Sequence, residues 1–480
     1  MERPILNEAP EKRISVLELG AKGDGKTDDF PALEAAVRFA AEKDLILEFP
    51  KGEYYLSDGL FLDDISMLSH DARILYHGEK FGTPAFRIVS NVNLFGTWYI
   101  YAAPSARKDA AERAPIAIGD YMTDRPSRNC YIQEVILSGG NPDSNGICIT
   151  GDTRDVIIDS VIIPDGSAIC RGVCLHWGNG VNHRNTAGRF APELGRAAYS
   201  HGDTPMTHPR GIHLGVVNCA GFKAIPGQTD NDKAAVTICA CADISVDEIM
   251  MHDSCHALCV TGADLGFEYA DEETRAYGQR NIYVKKITGT AMRSAGVLVA
   301  GYPWYIREVR VNTEIRIDEC YVEAAECNHD TGLALLGISK AEIGQITLRH
   351  FPRQAFNITR GSENISIDTL NIEGCKSYVG AVNMYSENDP PAKNIYIGEL
   401  NVDGSGDANV PAFNLVAVEN MTVEKLNIKD SSYQSLIAAT DDCKNVHISR
   451  ADLDTAQFEN GLLAGVSDSV KNRISVDRLI

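Results

Sequence analysis

One pattern recurs down most of this chain: apolar residues at i, i+2, i+5 and i+7, as in Ile365, Ile367, Leu370 and Ile372. Copies begin at Cys130, Val156, Ile212, Ile244, Ile282, Ile315, Ala341, Ile365, Ile395, Met421, Val446 and Ile474. Differences between neighbouring start numbers run 26, 56, 32, 38, 33, 26, 24, 30, 26, 25 and 28, so the last six lie between 24 and 30. Short alternation makes a strand with one inward face, and the wider gap between i+2 and i+5 marks a bend. A second apolar run follows six of the blocks, at Gly146 to Thr150, Gly172 to His176, Ala235 to Cys239, Ala257 to Thr261, Gly296 to Ala300 and Gly332 to Leu336. Blocks a coil apart bury their inward side chains on one another only when stacked in parallel, so the repeat predicts a solenoid of short parallel strands.

Rival repeat folds do not fit. An ankyrin or leucine-rich array would show a helix or a fixed Leu/Asn signature in every period, and a propeller needs four strands in about forty residues. The open end of a strand stack needs a cover. Thr27, Asp28, Asp29, Phe30 and Pro31 read as a helix start whose carboxylates and hydroxyl can cap free amides. Leu33, Ala36, Val37 and Ala40 then follow at i, i+3, i+4 and i+7, which is the face of a capping helix. The expected organisation is an N-terminal cap over residues 1–60 and one β-helix over 61–480.

Composition narrows the partners. Hydrophobic residues at 44% and charged residues at 23% suit a protein that buries a sizeable core. Against 45 Lys+Arg stand 66 Asp+Glu, and a net charge of -21 repels phosphate backbones and anionic membranes. Nucleic acid and membrane are therefore not expected partners. No apolar run at the N-terminus has the length of a signal peptide, and the 13 cysteines are scattered without metal-ligand spacing. Buried free thiols, a cytoplasmic location and no resident metal are the expectations.

The stretch Gly20-Ala21-Lys22-Gly23-Asp24-Gly25-Lys26-Thr27-Asp28-Asp29, followed by the helix and by Phe49-Pro50-Lys51-Gly52-Glu53-Tyr54-Tyr55, resembles the N-terminal signature of the pectate-lyase-like superfamily. The resemblance implies an all-β fold, a single right-handed parallel β-helix with an N-terminal capping helix. It also implies action on carbohydrate, since that superfamily holds polygalacturonase-like glycosidases, polysaccharide lyases, uronate epimerases and phage tailspikes. The fold alone does not choose among them.

Long steps between Val156 and Ile315 gather inserted residues on neighbouring coils, and such loops build clefts. Insertions fall at about 176–210, 262–280 and 300–312, and hold Trp177, Tyr302 and Trp304, aromatic side chains suited to sugar rings. Ionisable groups collect at one turn of these coils: Asp253 three residues before His256, Arg293 three before Gly296, and Asp230, Asp232 and Lys233 just before Ala235. Asp165 follows Ile163 by two residues, as Asp253 follows Met251. Carboxylates one or two coils apart would stand about 4.8 or 9.6 Å apart, separations that serve retaining or inverting glycosidases.

The run from His252 to Val260, with Thr229-Asp230-Asn231-Asp232 before it, resembles the catalytic region of the polygalacturonase family. By that resemblance Asp232 or Asp230 takes the first acidic position and Asp253 the first of a following acidic pair, while Ser254 stands where the second carboxylate would be. The expected function is a glycoside hydrolase acting on an oligo- or polysaccharide. Asp253 and Asp232 would be its principal acids, with Asp230, Asp165 and His256 as further catalytic candidates. Substrate contacts would come from His176, Trp177, Lys233, His252, Arg293, Tyr302 and Trp304. A lyase or epimerase is the alternative, and calcium would accompany the lyase chemistry. A glycan-binding, tailspike-like protein without catalysis is the third reading, and the chain could assemble as a homotrimer.

Overall fold

In the computed structural model, the structure describes residues 12–78, 84–104, 114–119, 126–140, 144–176, 209–222, 233–261, 278–301, 311–328, 330–386, 389–453, 456–463 and 466–479. They divide into two compact units: Met1–Met250 with Ala263–Thr274, and Met251–Gly262 with Arg275–Ile480. Both are built from parallel strands stacked in register as the coils of a solenoid.

In the first unit the helix Phe30–Lys43 buries Leu33, Ala36, Val37 and Ala40, the predicted face, against the strands Ile46–Phe49, Leu60–Leu62 and Ile65–Ser69. The acidic signature before it acts differently from a simple cap. Asp29 is the N-cap residue but makes no side-chain capping bond. Its carboxylate instead accepts the amides of Lys22 at 2.6 Å and Gly23 at 3.0 Å, and Asp28 accepts the amide of Phe30 at 3.1 Å and the hydroxyl of Ser57 at 2.6 Å. These carboxylates fasten the glycine-rich loop to the first coil. Behind it, Trp98 sets its ring edge-on to Phe49 and Phe86, with centroids 5.0 and 5.5 Å away.

The repeat read in the sequence is the in-register stack of the long strands. In the first unit Val156, Ile158, Val161 and Ile163 lie against Ile212, Leu214, Val217 and Cys219. In the second, Ile365, Ile367, Leu370 and Ile372 lie against Ile395, Ile397, Leu400 and Val402, all at 2% exposure or less. Just before these blocks the backbone turns left-handed, at Asn129, Asp155, Gly211, Asp243, Asn281, Asn364, Asn394, Asn420 and Asn445. Glycine, asparagine and aspartate are the residues that tolerate this conformation. In the second unit the amide of Asn394 donates to Asn364, that of Asn420 to Asn394, and that of Asn445 to Asn420, at 2.9 to 3.1 Å.

Short strands form the other wall. Asn145–Thr150, Arg171–His176 and Ala234–Cys239 stack in the first unit. In the second, His256–Thr261, Val297–Ala300, Thr331–Leu336, Gln354–Thr359, Val382–Tyr385, Pro411–Val416 and Ser435–Ala439 follow in turn. Apolar runs in the sequence do not mark the last four, three of which are interrupted by Asn357, Asn383 and Asn414. No disulfide joins the 13 cysteines, of which only Cys327 is exposed and Cys239 half-buried. Burial pushes the Cys130 and Cys375 thiols up to about 12. No helix among the described residues is long and apolar enough to cross a membrane.

Candidate active site

Asp253 sits in the second unit, on the turn between a long strand and the short strand His256–Thr261, with a left-handed φ of 57°. Backbone pairing seats this turn on its neighbour. The Asp253 amide donates to the Thr290 carbonyl at 3.0 Å, and the Arg293 amide to the Ser254 carbonyl at 2.7 Å. That register brings Arg293, one coil on, to the Asp253 carboxylate: Nε lies 2.7 Å and Nη2 2.5 Å from Oδ1. Both side chains remain partly exposed, at 28% and 31%. Among the described residues no donor takes up Oδ2, which leaves one carboxylate oxygen for a ligand.

The next turn of the same unit continues the row. Ser294 donates its hydroxyl to Oδ2 of Asp330 at 2.9 Å, while the amide of Thr331 donates to Oδ1 at 3.0 Å. Buried Asn328 supports both turns, giving its amide to the carbonyls of Met292 and Ser294 at 2.7 and 2.9 Å. The turns of Asp253 and Asp330 are thus two coils apart, about 9.6 Å at the spacing of parallel strands. Asp330 escapes the sequence pattern because it falls two residues before Gly332, one nearer the strand than the slot of Asp253 and Arg293.

The other expected residues divide sharply. His252 is exposed and sets Nδ1 2.9 Å from the hydroxyl of Thr290, beside Asp253. His256 is only 1% exposed, with Nδ1 against the carbonyl of Ala295. Burial and this contact place His256 within the wall, away from the partly exposed turn that carries Asp253. Lys233 is likewise buried, at 3% exposure, at the head of Ala234–Cys239 in the first unit, and is poorly placed to meet a sugar. His176 is half-buried at the end of Arg171–His176, in register with Thr150 and Cys239.

Asp165 belongs to the first unit and is exposed. Its Oδ1 accepts the amide of Gly166 at 2.7 Å, a local turn bond of the kind aspartate commonly makes in loops. Gly221 packs beside it with a φ of 71°, and a side chain there would strike Oδ1. Asp230, Asp232, Trp177, Tyr302 and Trp304 lie outside the described residues, as does most of the three expected insertions. No group of three or more metal-ligating side chains stands together among the described residues.

Residues 13–187 match a family model described as rhamnogalacturonase A/epimerase, pectate lyase-like. No curated protein sequence matches the chain. Among solved structures it is similar to a tailspike protein of E. coli bacteriophage HK620, with 13% identity and a TM-score of 0.47 over 93% of this chain and 78% of that one. It is similar to a family 28 exopolygalacturonase of Yersinia enterocolitica, with 9% identity and a TM-score of 0.46 over 93% and 78%. A third is the catalytic unit of an alpha-1,3-glucanase from Streptomyces thermodiastaticus, with 12% identity and a TM-score of 0.45 over 97% and 72%. Identities this low carry no residue role to this chain.

Proposed function

We propose that this chain, whose residues 13–187 match a rhamnogalacturonase A/epimerase, pectate lyase-like family model, is a carbohydrate-active β-helix and a glycoside hydrolase whose principal carboxylate is Asp253. The observation that carries this reading is the grip of Arg293 on one oxygen of Asp253 while the other stays unengaged. A carboxylate fixed in this way holds its second oxygen in a set direction, which positioning catalysis requires. Asp330 supplies a second carboxylate two coils away. A separation of about 9.6 Å lies close to that of inverting glycosidases, in which one group protonates the leaving oxygen and the other activates water. His252, beside Asp253, contacts the sugar in this arrangement.

The test is turnover of a panel of neutral and acidic oligosaccharides by the parent and by Asp253→Asn, Asp330→Asn and Asp232→Asn. A hydrolase yields a new reducing end and no unsaturated product. Loss of a catalytic acid or base lowers turnover by about 10²–10⁴-fold. Full activity in Asp253→Asn removes this assignment. The Asp330 and Asp232 variants decide which acid is its partner.

The description of the matched family joins rhamnogalacturonase with epimerase, and this favours a second reading, proton abstraction beside a uronate carboxyl. An unsaturated product, or an inverted sugar without cleavage, would select it. Binding with no product at all would select the tailspike-like alternative.

A further inference from the structure

The outward face of the short-strand wall in the second unit carries a ladder of side-chain amides. Asn383 donates to Oδ1 of Asn357, and Asn414 to Oδ1 of Asn383, each at 2.8 Å. Each rung therefore supplies the donor for the rung before it. The next residue in register after Asn414 is Ala438, which has no amide to give. Among the described residues Oδ1 of Asn414 is consequently left without a donor, and it faces an open groove of about 630 Å³. Its rim adds the polar side chains of Gln434, Thr440 and Asn460, while Ala438 and Val416 give it an apolar floor. In register with Val416 stands Tyr385, an aromatic ring 41% exposed beside the groove.

We propose that this groove binds one or two uncharged sugar residues of a glycan, as a site separate from the Asp253 turn. The volume falls in the range of small-molecule sites. Among the described residues no acidic or basic side chain lines it, so a uronate carboxylate would be desolvated there without a counter-charge, at a cost that neutral hydroxyls do not incur. Sugar hydroxyls donate to Asn414 Oδ1 and accept from the amides of Gln434 and Asn460. The apolar face of the ring lies on Ala438 and Val416, with Tyr385 offering the flat aromatic surface that sugar C–H groups favour. The ligand class rests on the carbohydrate reading above; the groove itself does not depend on hydrolysis.

Binding can be measured apart from cleavage by calorimetric titration of the full chain carrying Asp253→Asn. The probes are cellotetraose, xylotetraose and mannotetraose, with tetragalacturonate as the charged comparison. At least one neutral tetrasaccharide binds, and tetragalacturonate binds at least tenfold more weakly. Ala438→Asn adds the missing rung and engages Asn414 Oδ1, taking from the sugar its acceptor on the groove floor, so it lowers neutral-sugar affinity at least tenfold with Tm unchanged or raised. Gln434→Ala, which only trims the rim, lowers affinity as well and covers the case in which the added amide disturbs the coil. Unaltered affinity in both variants, tighter binding of the uronate, or no binding of any neutral probe overturns the proposal. Sensitivity to Ala438→Asn, with the parent chain carrying Asp253 cleaving none of the oligosaccharides, would retire the hydrolase and keep the groove.

Discussion

Arg293 directs two nitrogens at a single oxygen of Asp253, Nε from 2.7 Å and Nη2 from 2.5 Å, although the residues are 40 positions apart. The contact is between neighbouring coils, and it fixes the carboxylate rather than neutralising it in bulk. Arg293 is accordingly a positioning residue. Arg293→Ala should lower kcat by roughly ten- to a hundredfold with little change in KM, since a misplacement of about 1 Å costs on that order. Arg293→Lys keeps the charge but loses the planar fork and should recover only part of the rate. Thermal melts check that the fold is intact, for a partly exposed ion pair contributes at most about 1 kcal/mol.

Asn394 links the ladder of left-handed turns, with φ at 56° and its amide on Asn364. Asn394→Ala leaves the left-handed turn without the short polar side chain that tolerates it and removes the ladder bonds. A destabilisation of about 1–2 kcal/mol is expected in urea unfolding. Asn394→Gly keeps the backbone comfortable and should be less damaging. Equal losses in the two variants would show that the ladder bonds, not the backbone, hold the turn.

Acid should weaken the long-strand face. The hydroxyl of Tyr283, 2.5 Å away, is the leading cause that holds Asp318 below the ordinary aspartate range, and the Lys425 ammonium does the same for Glu399. Both carboxyls bind protons less readily folded than unfolded. Their contribution is therefore fully present above the unfolded pKa of about 4 and is lost as pH falls through the lower folded value. Melting temperatures followed from about pH 6 to about pH 3 should fall, and Asp318→Asn should fall less steeply.

Thiol reagents should find one fast cysteine in the native protein. Cys327 is exposed, whereas Cys130 and Cys375 are buried and hold almost no thiolate near neutrality. Cys327→Ser should abolish the fast phase of a thiol titration, and denaturant should release the remainder. A fast phase that survives the substitution would place a reactive thiol elsewhere.

Much of the architecture is legible in the sequence because burial imposes a period. Ile365, Ile367, Leu370 and Ile372 declare their inward face, and an asparagine or aspartate just ahead of many such blocks declares the left-handed turn. The later short strands are harder to read because their outward residues are asparagines that pair with one another. Such pairing needs a rung above and below, which no local window contains. The glycine-rich signature likewise predicts the helix but not that Asp29 would turn away from it to hold Lys22 and Gly23.

The sequence by itself determined the coil and which side chains are driven inside it, since apolar spacing acts within a few residues of chain. Only the tertiary structure decided which polar groups meet: that Arg293 closes on Asp253, that His256 is sealed in the wall, and that the amide ladder stops at Ala438. Those outcomes depend on register between coils some 24 to 40 residues apart, where a shift of one residue sends each side chain to the opposite face.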